Sequence, residues 1–420
     1  MNKLTIVAAL ALSSVLNVEA QSGTNSPYSQ YGVGVLSDQS QGFSRGMNGV
    51  GLALRKGNVV NTLNPASYSA VDSLTMIFDV GLSGQITNFK EGNRRLNANN
   101  ADFEYAVGSF RLMPKVGASF GILPYSNVGY QYSTSVKLNE SFGSVPISMT
   151  GEGGLHQAFI GAGWNVVKPL SVGINVAYLW GTYNRAVQSG STTYIDDFAN
   201  SYKANVNSYL ITLGAQWEQA INYRDRLTVG VTASLGHKLH ANVDIASGDS
   251  TVFSSGKGIE LPMTYGLGLG WTHGDKLFLG ADVTMQKWGS VSTPGIVNQG
   301  TQKVYAMRND LLKDSYSVKL GADYVPSATS RNFLNRVHYR FGAGYTTPYY
   351  YINGKEGPKE LSVSAGFGIP LQNSYNNRSV LNISAQWSRK SAKDLITENT
   401  FRVNLGLTFN ERWFAKWKVD

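Results

Sequence analysis

"TFRVNLGLTF", residues 400–409, alternates without a break. Phe401, Val403, Leu405, Leu407 and Phe409 share one face, and Arg402, Asn404, Gly406 and Thr408 share the other. Side chains of a β-strand point alternately to its two sides, so this period of two specifies a strand with one apolar face and one polar or small face. A strand that crosses a membrane as part of a barrel turns the first face to lipid and the second to the lumen.

The same stripe recurs upstream. Leu381, Ile383, Ala385 and Trp387 oppose Asn382, Ser384, Gln386 and Ser388. Leu277, Leu279, Ala281, Val283 and Met285 oppose Gly280, Asp282, Thr284 and Gln286, and Val172, Ile174, Val176, Tyr178 and Trp180 form another. Reading every such segment predicts strands at 74–90, 102–113, 115–135, 148–167, 171–189, 203–220, 226–245, 258–273, 276–289, 313–325, 336–351, 358–370, 379–390 and 398–413. These are fourteen, an even number as a closed bacterial barrel requires.

The connections agree. "MPK" (113–115), "KPL" (168–170), "NYRDR" (222–226) and "HGDK" (273–276) are tight turns. The segments near 91–101, 136–147, 190–202, 246–257 and 290–312 are longer and polar. Short and long alternate as periplasmic turns and extracellular loops do, although 326–335 and 371–378 fall on the short side yet run longer. The last strand closes on aromatics in "FNERWF", which resembles the signal read by outer-membrane assembly machinery. A soluble β-sandwich or propeller also alternates, without this combination of strand number, loop parity and ending. Trp164, Trp180, Trp217, Trp271, Trp288, Trp387, Trp413 and Trp417 fall mostly near strand ends, as a membrane-interface girdle requires.

Composition points the same way. The chain of 420 residues has 46 Gly, 23 Tyr, 8 Trp, no Cys and only 15% charged residues. It has no apolar run long enough for a transmembrane helix. Its start, "MNKLTIVAALALSSVLNVEAQ", has a basic residue at Lys3, a short apolar run from Leu4 to Leu16, and small residues around Val18-Glu19-Ala20. That is a secretory signal peptide with the mature chain beginning at Gln21, and no Cys follows it to carry a lipid. The formal net charge is +9, to which the signal peptide adds nothing because Lys3 offsets Glu19. Dispersed over an exported chain, this charge suits either an ordinary solvated surface or contact with anionic headgroups of outer-membrane lipid and lipopolysaccharide. We expect no nucleic-acid partner.

The fold expected is therefore all-β, a 14-stranded antiparallel transmembrane β-barrel in the outer membrane of a Gram-negative bacterium. The expected organisation is a signal peptide at 1–20, an N-terminal luminal hatch at 21–73, the barrel at 74–414 and a periplasmic tail at 415–420. Residues 21–73 lack the strand pattern and are dense in Gly, Ser and Asn. Preceding the first strand, they start on the periplasmic side. They either hang there or fold into the lumen, which is wide enough at this strand number to need filling.

"RGMNGVGLALRKGNVVNTLNPASYS", residues 45–69, resembles the hatch of the FadL family of hydrophobic-compound transporters. The matching positions are Gly46, Gly49, Gly51 and Ala53, then Asn64, Pro65 and Ala66 just before the first strand. The resemblance implies a fourteen-stranded barrel with an N-terminal hatch. From the residues themselves, Asn64 is biased away from helix by Pro65, whose φ is fixed, and its side chain can close a turn that ends the plug. A second match is "KVGASFGILPYSNVGYQYS", residues 115–133, with Pro124 inside the third strand between Gly121 and Gly129. A proline cannot donate to the ladder, so the wall must break or bulge there. In the FadL family a kink in the third strand opens a lateral exit toward the membrane; a bulge without an opening is the other reading. "SPYSQYGVG", residues 26–34, maps onto nothing in that family.

No catalytic motif stands out. His156, His237, His240, His273 and His338 are scattered, and His237 and His240, three apart on a strand, face opposite sides. No metal, cofactor or enzymatic activity is expected. The leading function is passive uptake of small hydrophobic molecules such as fatty acids, held off from free diffusion by the hatch. The alternative is a FadL-like, non-transporting subunit of a larger outer-membrane complex, for example the barrel-assembly machinery, with other outer-membrane proteins as partners.

Overall fold

The computed structural model of the protein describes residues 23–139, 143–189, 200–248, 250–299, 302–371 and 379–412. The expected signal peptide and the tail at 415–420 lie outside these residues, as do Trp413 and Trp417. Fourteen antiparallel strands close into a barrel. They are β1 (Thr75–Glu91), β2 (Arg94–Met113), β3 (Val116–Asn139), β4 (Gly143–Val167), β5 (Leu170–Ser189), β6 (Asn200–Ala220) and β7 (Asp225–Ser234). They continue as β8 (Thr264–His273), β9 (Leu277–Gln286), β10 (Ser315–Tyr324), β11 (His338–Thr346), β12 (Lys359–Leu371), β13 (Ser379–Ser391) and β14 (Thr397–Arg412). Each pairs with its neighbours in chain order, and β1 closes on β14 from Thr75↔Arg412 to Lys90↔Thr397.

The alternation read in the sequence sets the two faces of the wall. On β14, Phe401, Val403 and Leu405 are exposed on the outside, whereas Asn404, Gly406 and Thr408 are buried inside. The outer face carries a belt of exposed apolar side chains that includes Ile122, Ile160, Ile174, Leu269, Leu320 and Phe341. This is the surface a hydrocarbon core would cover.

The structure departs from expectation at several connections. The polar stretch 91–101 is not a loop: β1 and β2 run on through it as a hairpin that turns at residues 92–93. Likewise 246–257 holds the hairpin Ala241–Ser247/Ser250–Ser255, and 290–312 holds Thr293–Gln299/Gln302–Arg308. Paired backbone satisfies its own hydrogen bonds, so a polar sequence extends a ladder beyond the apolar belt. The seventh strand, expected to run unbroken, kinks after Ser234, and the eighth begins at Thr264 rather than near 258. Pro262 cannot donate to a ladder, and Gly236 packs so closely on this strand that a methyl group there would lie 2.4 Å from the Met263 nitrogen.

Residues 23–72 pack inside the barrel, and Ser73 and Leu74 lead out to β1. The segment does not begin at the short-turn end, as its place before the first strand suggested. The Gly23 carbonyl, part-way up the lumen, accepts from Gln85 Nε2 at 3.0 Å. The chain climbs first, because Tyr28 and Val33 bury in an apolar core at the long-loop end with Leu155, Leu179, Tyr183, Leu239, Trp288, Tyr349 and Tyr350. It then descends through a helical turn, Gly42–Arg45, to a 3-10 helix, Pro65–Ala70, near the short turns. Trp288, expected in the membrane girdle, is 0% exposed in the upper core, its ring centroid 4.6 Å from that of Tyr349. Trp164, Trp217 and Trp387 do face outward.

Candidate functional site

The candidate site is the contact between the N-terminal segment and the wall, with the cavities it leaves. Its lower level is built on glycine. Gly117, Gly163, Gly173 and Gly214 lie side by side in register on β3 to β6, and Gly280, Gly321 and Gly342 do the same on β9 to β11. A methyl group at Gly117, Gly163, Gly173, Gly214, Gly230 or Gly342 would come within 1.9–2.5 Å of the segment's atoms. The segment's backbone occupies the space these side chains would fill.

The residues singled out in the sequence sit on this contact. Gly46 packs on Gly366, and its carbonyl accepts from Ser364 Oγ at 3.0 Å. Gly49 takes a positive φ of +79° beside the Lys319 ammonium. The amides of Gly51 and Leu52 donate to one carboxylate oxygen of Asp282, at 2.7 and 2.9 Å. Ala53 lies against Gly270. Asn64, fully buried, caps the helix Pro65–Ala70 by accepting from the Ala66 amide at 3.1 Å, and donates to the carbonyls of Leu52 and Ala215. The Asn-Pro-Ala motif thus opens a helical turn lodged in the glycine band, and the chain enters β1 only after Ala70. Pro65 presents its carbonyl to Gly163 and Gly173.

The third strand does leave its neighbour. β2 pairs with β3 only from Ala106↔Ile122 down to Met113↔Val116, while above this β2 stays on β1. The β3–β4 register shifts between Pro124 and Ser126. On β4, Gly153 continues the distortion with φ +103°, and any side chain there would meet the Thr182 carbonyl at 2.1 Å. The released edge of β3 is not bare. Val35–Leu36 of the N-terminal segment forms a short antiparallel strand on it, Val35 opposite Asn127 and Leu36 opposite Ser126. The Ser37 amide donates to the Tyr125 carbonyl at 3.0 Å, and Gln39 Nε2 to the Pro124 carbonyl at 2.9 Å. Ser29 Oγ accepts from the Gly129 amide at 3.1 Å. On the other side of the parting, Asn25 Nδ2 donates to Asn100 Oδ1 of β2 at 2.7 Å. Pro124 and Gly129 therefore both hold the N-terminal segment, whereas Gly121 lies below the parting, against Val107.

Charges fix the middle of the segment. Arg45 is buried and its guanidinium spent: Nη2 lies 2.9 Å from Glu104 of β2, Nη1 donates to Asn404 at 3.1 Å, and Nε donates to the Ser40 carbonyl at 3.1 Å. Burial opposes ionisation of Asp38, but Lys319 and Arg45 outweigh it and bring its carboxyl down to about 2. None of these partners was visible in the sequence, because no local pattern links residues so far apart in the chain.

Between segment and wall lies a cavity of about 400 Å³. Polar and charged residues such as Asp38, Asp102, Asp282, Lys319, Glu398 and Arg402 line it together with Val35, Leu36, Leu52, Leu63, Tyr349 and Tyr350, so its surface is mixed. The apolar side chains above it are packed against one another as a core, and Tyr349 and Tyr350 of that core face the cavity.

A family model described as BamG matches residues 1–420. Among solved structures, the Pseudomonas putida toluene transporter TodX aligns with a TM-score of 0.63 at 15% identity, covering 91% of this chain and 100% of that one. The Ralstonia pickettii toluene transporter TbuX aligns with a TM-score of 0.58 at 15% identity, covering 90% and 99%. A Pseudomonas aeruginosa FadL homologue gives 0.55 at 14% identity, covering 89% and 99%. At these identities the likeness is one of fold. No curated protein matches the chain.

Proposed function

Because the chain belongs to the BamG family, we propose that this FadL-type barrel serves as a non-transporting subunit of a larger outer-membrane complex, for example the barrel-assembly machinery. The observation that carries the reading is the strand Val35–Leu36 on the released edge of β3. The hatch lies across the lumen, and the same hatch occupies the place where the wall parts. A molecule leaving sideways would have to strip these backbone pairs, each a buried hydrogen bond whose loss leaves a donor or acceptor unsatisfied. The barrel then acts as a rigid, sealed scaffold whose outer and end surfaces meet partners, and it carries out no catalysis.

A second reading, passive uptake of small hydrophobic molecules, is favoured by one feature, the parting of β2 from β3 above Ile122. The fold shared with the toluene transporters is compatible with both readings. Gentle extraction from the native membrane followed by native mass spectrometry separates them. A stoichiometric assembly with other outer-membrane proteins supports the scaffold. An isolated barrel carrying an apolar adduct overturns it in favour of uptake.

A further inference from the structure

A second cavity, of about 320 Å³, opens at the short-turn end between hatch residues 55–59 and the wall. We propose that it binds an oxyanion, a carboxylate or phosphate group, that enters from the short-turn side. The inference does not rest on the scaffold reading.

Arg340 of β11 carries the argument. It lines the cavity and is 1% exposed. Its Nε donates to Asp323 at 3.0 Å and its Nη1 to Asn382 Oδ1 at 2.6 Å. Its Nη2 is buried with no partner among the described residues. A buried guanidinium nitrogen left unpaired keeps its full desolvation cost, so an acceptor that reaches it binds with that cost as driving force. The nitrogen is packed against Gly368, where an added Cβ would stand only 2.4 Å from it, so a bulkier residue there would displace the fork. From the hatch side, the Phe43 ring faces the Arg340 guanidinium at 4.0 Å and holds the fork in place.

The local charge fixes the sign of the ligand. Arg55, Lys56, Arg226 and Arg340 line the cavity, with Asp275 as the acid on its wall. Asp323 stands behind them, but it is shared by Arg340 Nε, Lys56 Nζ at 2.9 Å and His338 Nδ1 at 2.9 Å. Glu218, 3.9 Å from Arg55, and Asp79, which acts on Arg340, offset further charge from outside the cavity, so the positive excess is that of the lining itself, where Arg55, Lys56, Arg226 and Arg340 face Asp275. A cation would be repelled, and a neutral solute would leave the excess charge uncompensated. An oxygen of a carboxylate or phosphate can accept from the one unpaired nitrogen, Nη2.

The group has two natural sources, a free small anion or a carboxylate side chain on a polypeptide from the same compartment. Titration calorimetry on the full-length barrel in detergent at low salt, with inorganic phosphate and separately with N-acetyl-triglutamate, tests the site. Saturable binding of phosphate alone identifies a free anion; tighter binding of the peptide identifies a polypeptide source. In either case Arg340→Gln should weaken binding by about tenfold or more. Arg226→Gln, at the exposed rim and harmless to the fold, should weaken it by about threefold. The proposal is overturned if neither probe binds at about 10 mM, or if Arg226→Gln and the folded Arg340→Gln variant both bind as the parent does.

Discussion

Arg45 of the hatch and Glu104 of β2 meet at 2.9 Å with their side chains 3% and 5% exposed. A pair this deep ties the hatch to the wall by mutual need, since removing either partner leaves the other's buried charge without its nearest counter-ion. Glu104→Gln and Arg45→Met should each destabilise the barrel by about 3 kcal/mol or more. The double variant should lose less than the sum, with a coupling of at least ~1 kcal/mol. Urea unfolding in detergent, followed by tryptophan fluorescence, measures both, and strictly additive losses would show that the pair does not act as a unit.

The strand Val35–Leu36 can be locked in place. The protein has no cysteine of its own, so Val35→Cys with Asn127→Cys gives one defined pair across an antiparallel register. Cα atoms opposite each other in such a ladder lie ~4.5–5.5 Å apart, within reach of a disulfide. The bond should form readily and leave assembly with partner proteins intact. If oxidation abolished a hydrocarbon uptake that reduction restored, the hatch strand would be a gate and the uptake reading would stand.

The glycine band leaves no room for a side chain. Gly163→Val and Gly173→Val should each cost about 1–3 kcal/mol through overpacking against Pro65 and Tyr68. The loss should be concentrated in hatch docking, seen as faster hydrogen exchange in residues 61–70 while the barrel strands stay protected. Gly84, whose added Cβ would meet nothing within 4 Å, is the control: Gly84→Val should change neither.

Asn64→Ala removes a helix cap and two further hydrogen bonds from a fully buried position. The expected loss is about 2 kcal/mol, because the Leu52 and Ala215 carbonyls lose a donor as well. Asn64→Asp keeps the acceptor and loses the donor, so its effect on hatch exchange should show which half matters.

Acid should loosen the hatch late. The Asp38 carboxyl sits at about 2, below the ordinary ~3.9. Its lowered value stabilises docking fully above the ordinary range, and that contribution fades as pH falls through the folded value. Protease sensitivity of the hatch should therefore stay flat down to about pH 4 and rise below it. Asp38→Asn should remove this dependence. A rise already complete at pH 5 would mean that another group controls docking.

The strands were legible in the sequence because each one states its own rule locally. Phe401, Val403 and Leu405 turn outward and Asn404 and Thr408 inward as their alternation requires, and the same holds around the wall. The hatch motif was legible in placement, but its chemistry was not. Asn64 read as a turn that ends the plug; in space it caps a helix that continues the plug to Ala70. "SPYSQYGVG" matched no known pattern, yet Tyr28, Tyr31 and Val33 anchor the segment, with the Tyr31 ring stacked 5.0 Å from Tyr350. Such contacts join residues hundreds apart, and no local pattern records them. The likeness to the FadL transporters proved to be one of fold, while the family is BamG.

The seam of the barrel runs between β1 and β14, the first and last strands, and the hatch is the stretch of chain immediately before that seam. Its backbone fills the hollows left by the glycines of the inner wall. The seat is made jointly by glycines on β3 to β6 and on β9 to β11, so no single strand carries it and it exists only where those strands curve around the segment. The wall wraps around its own N-terminus as around a mandrel.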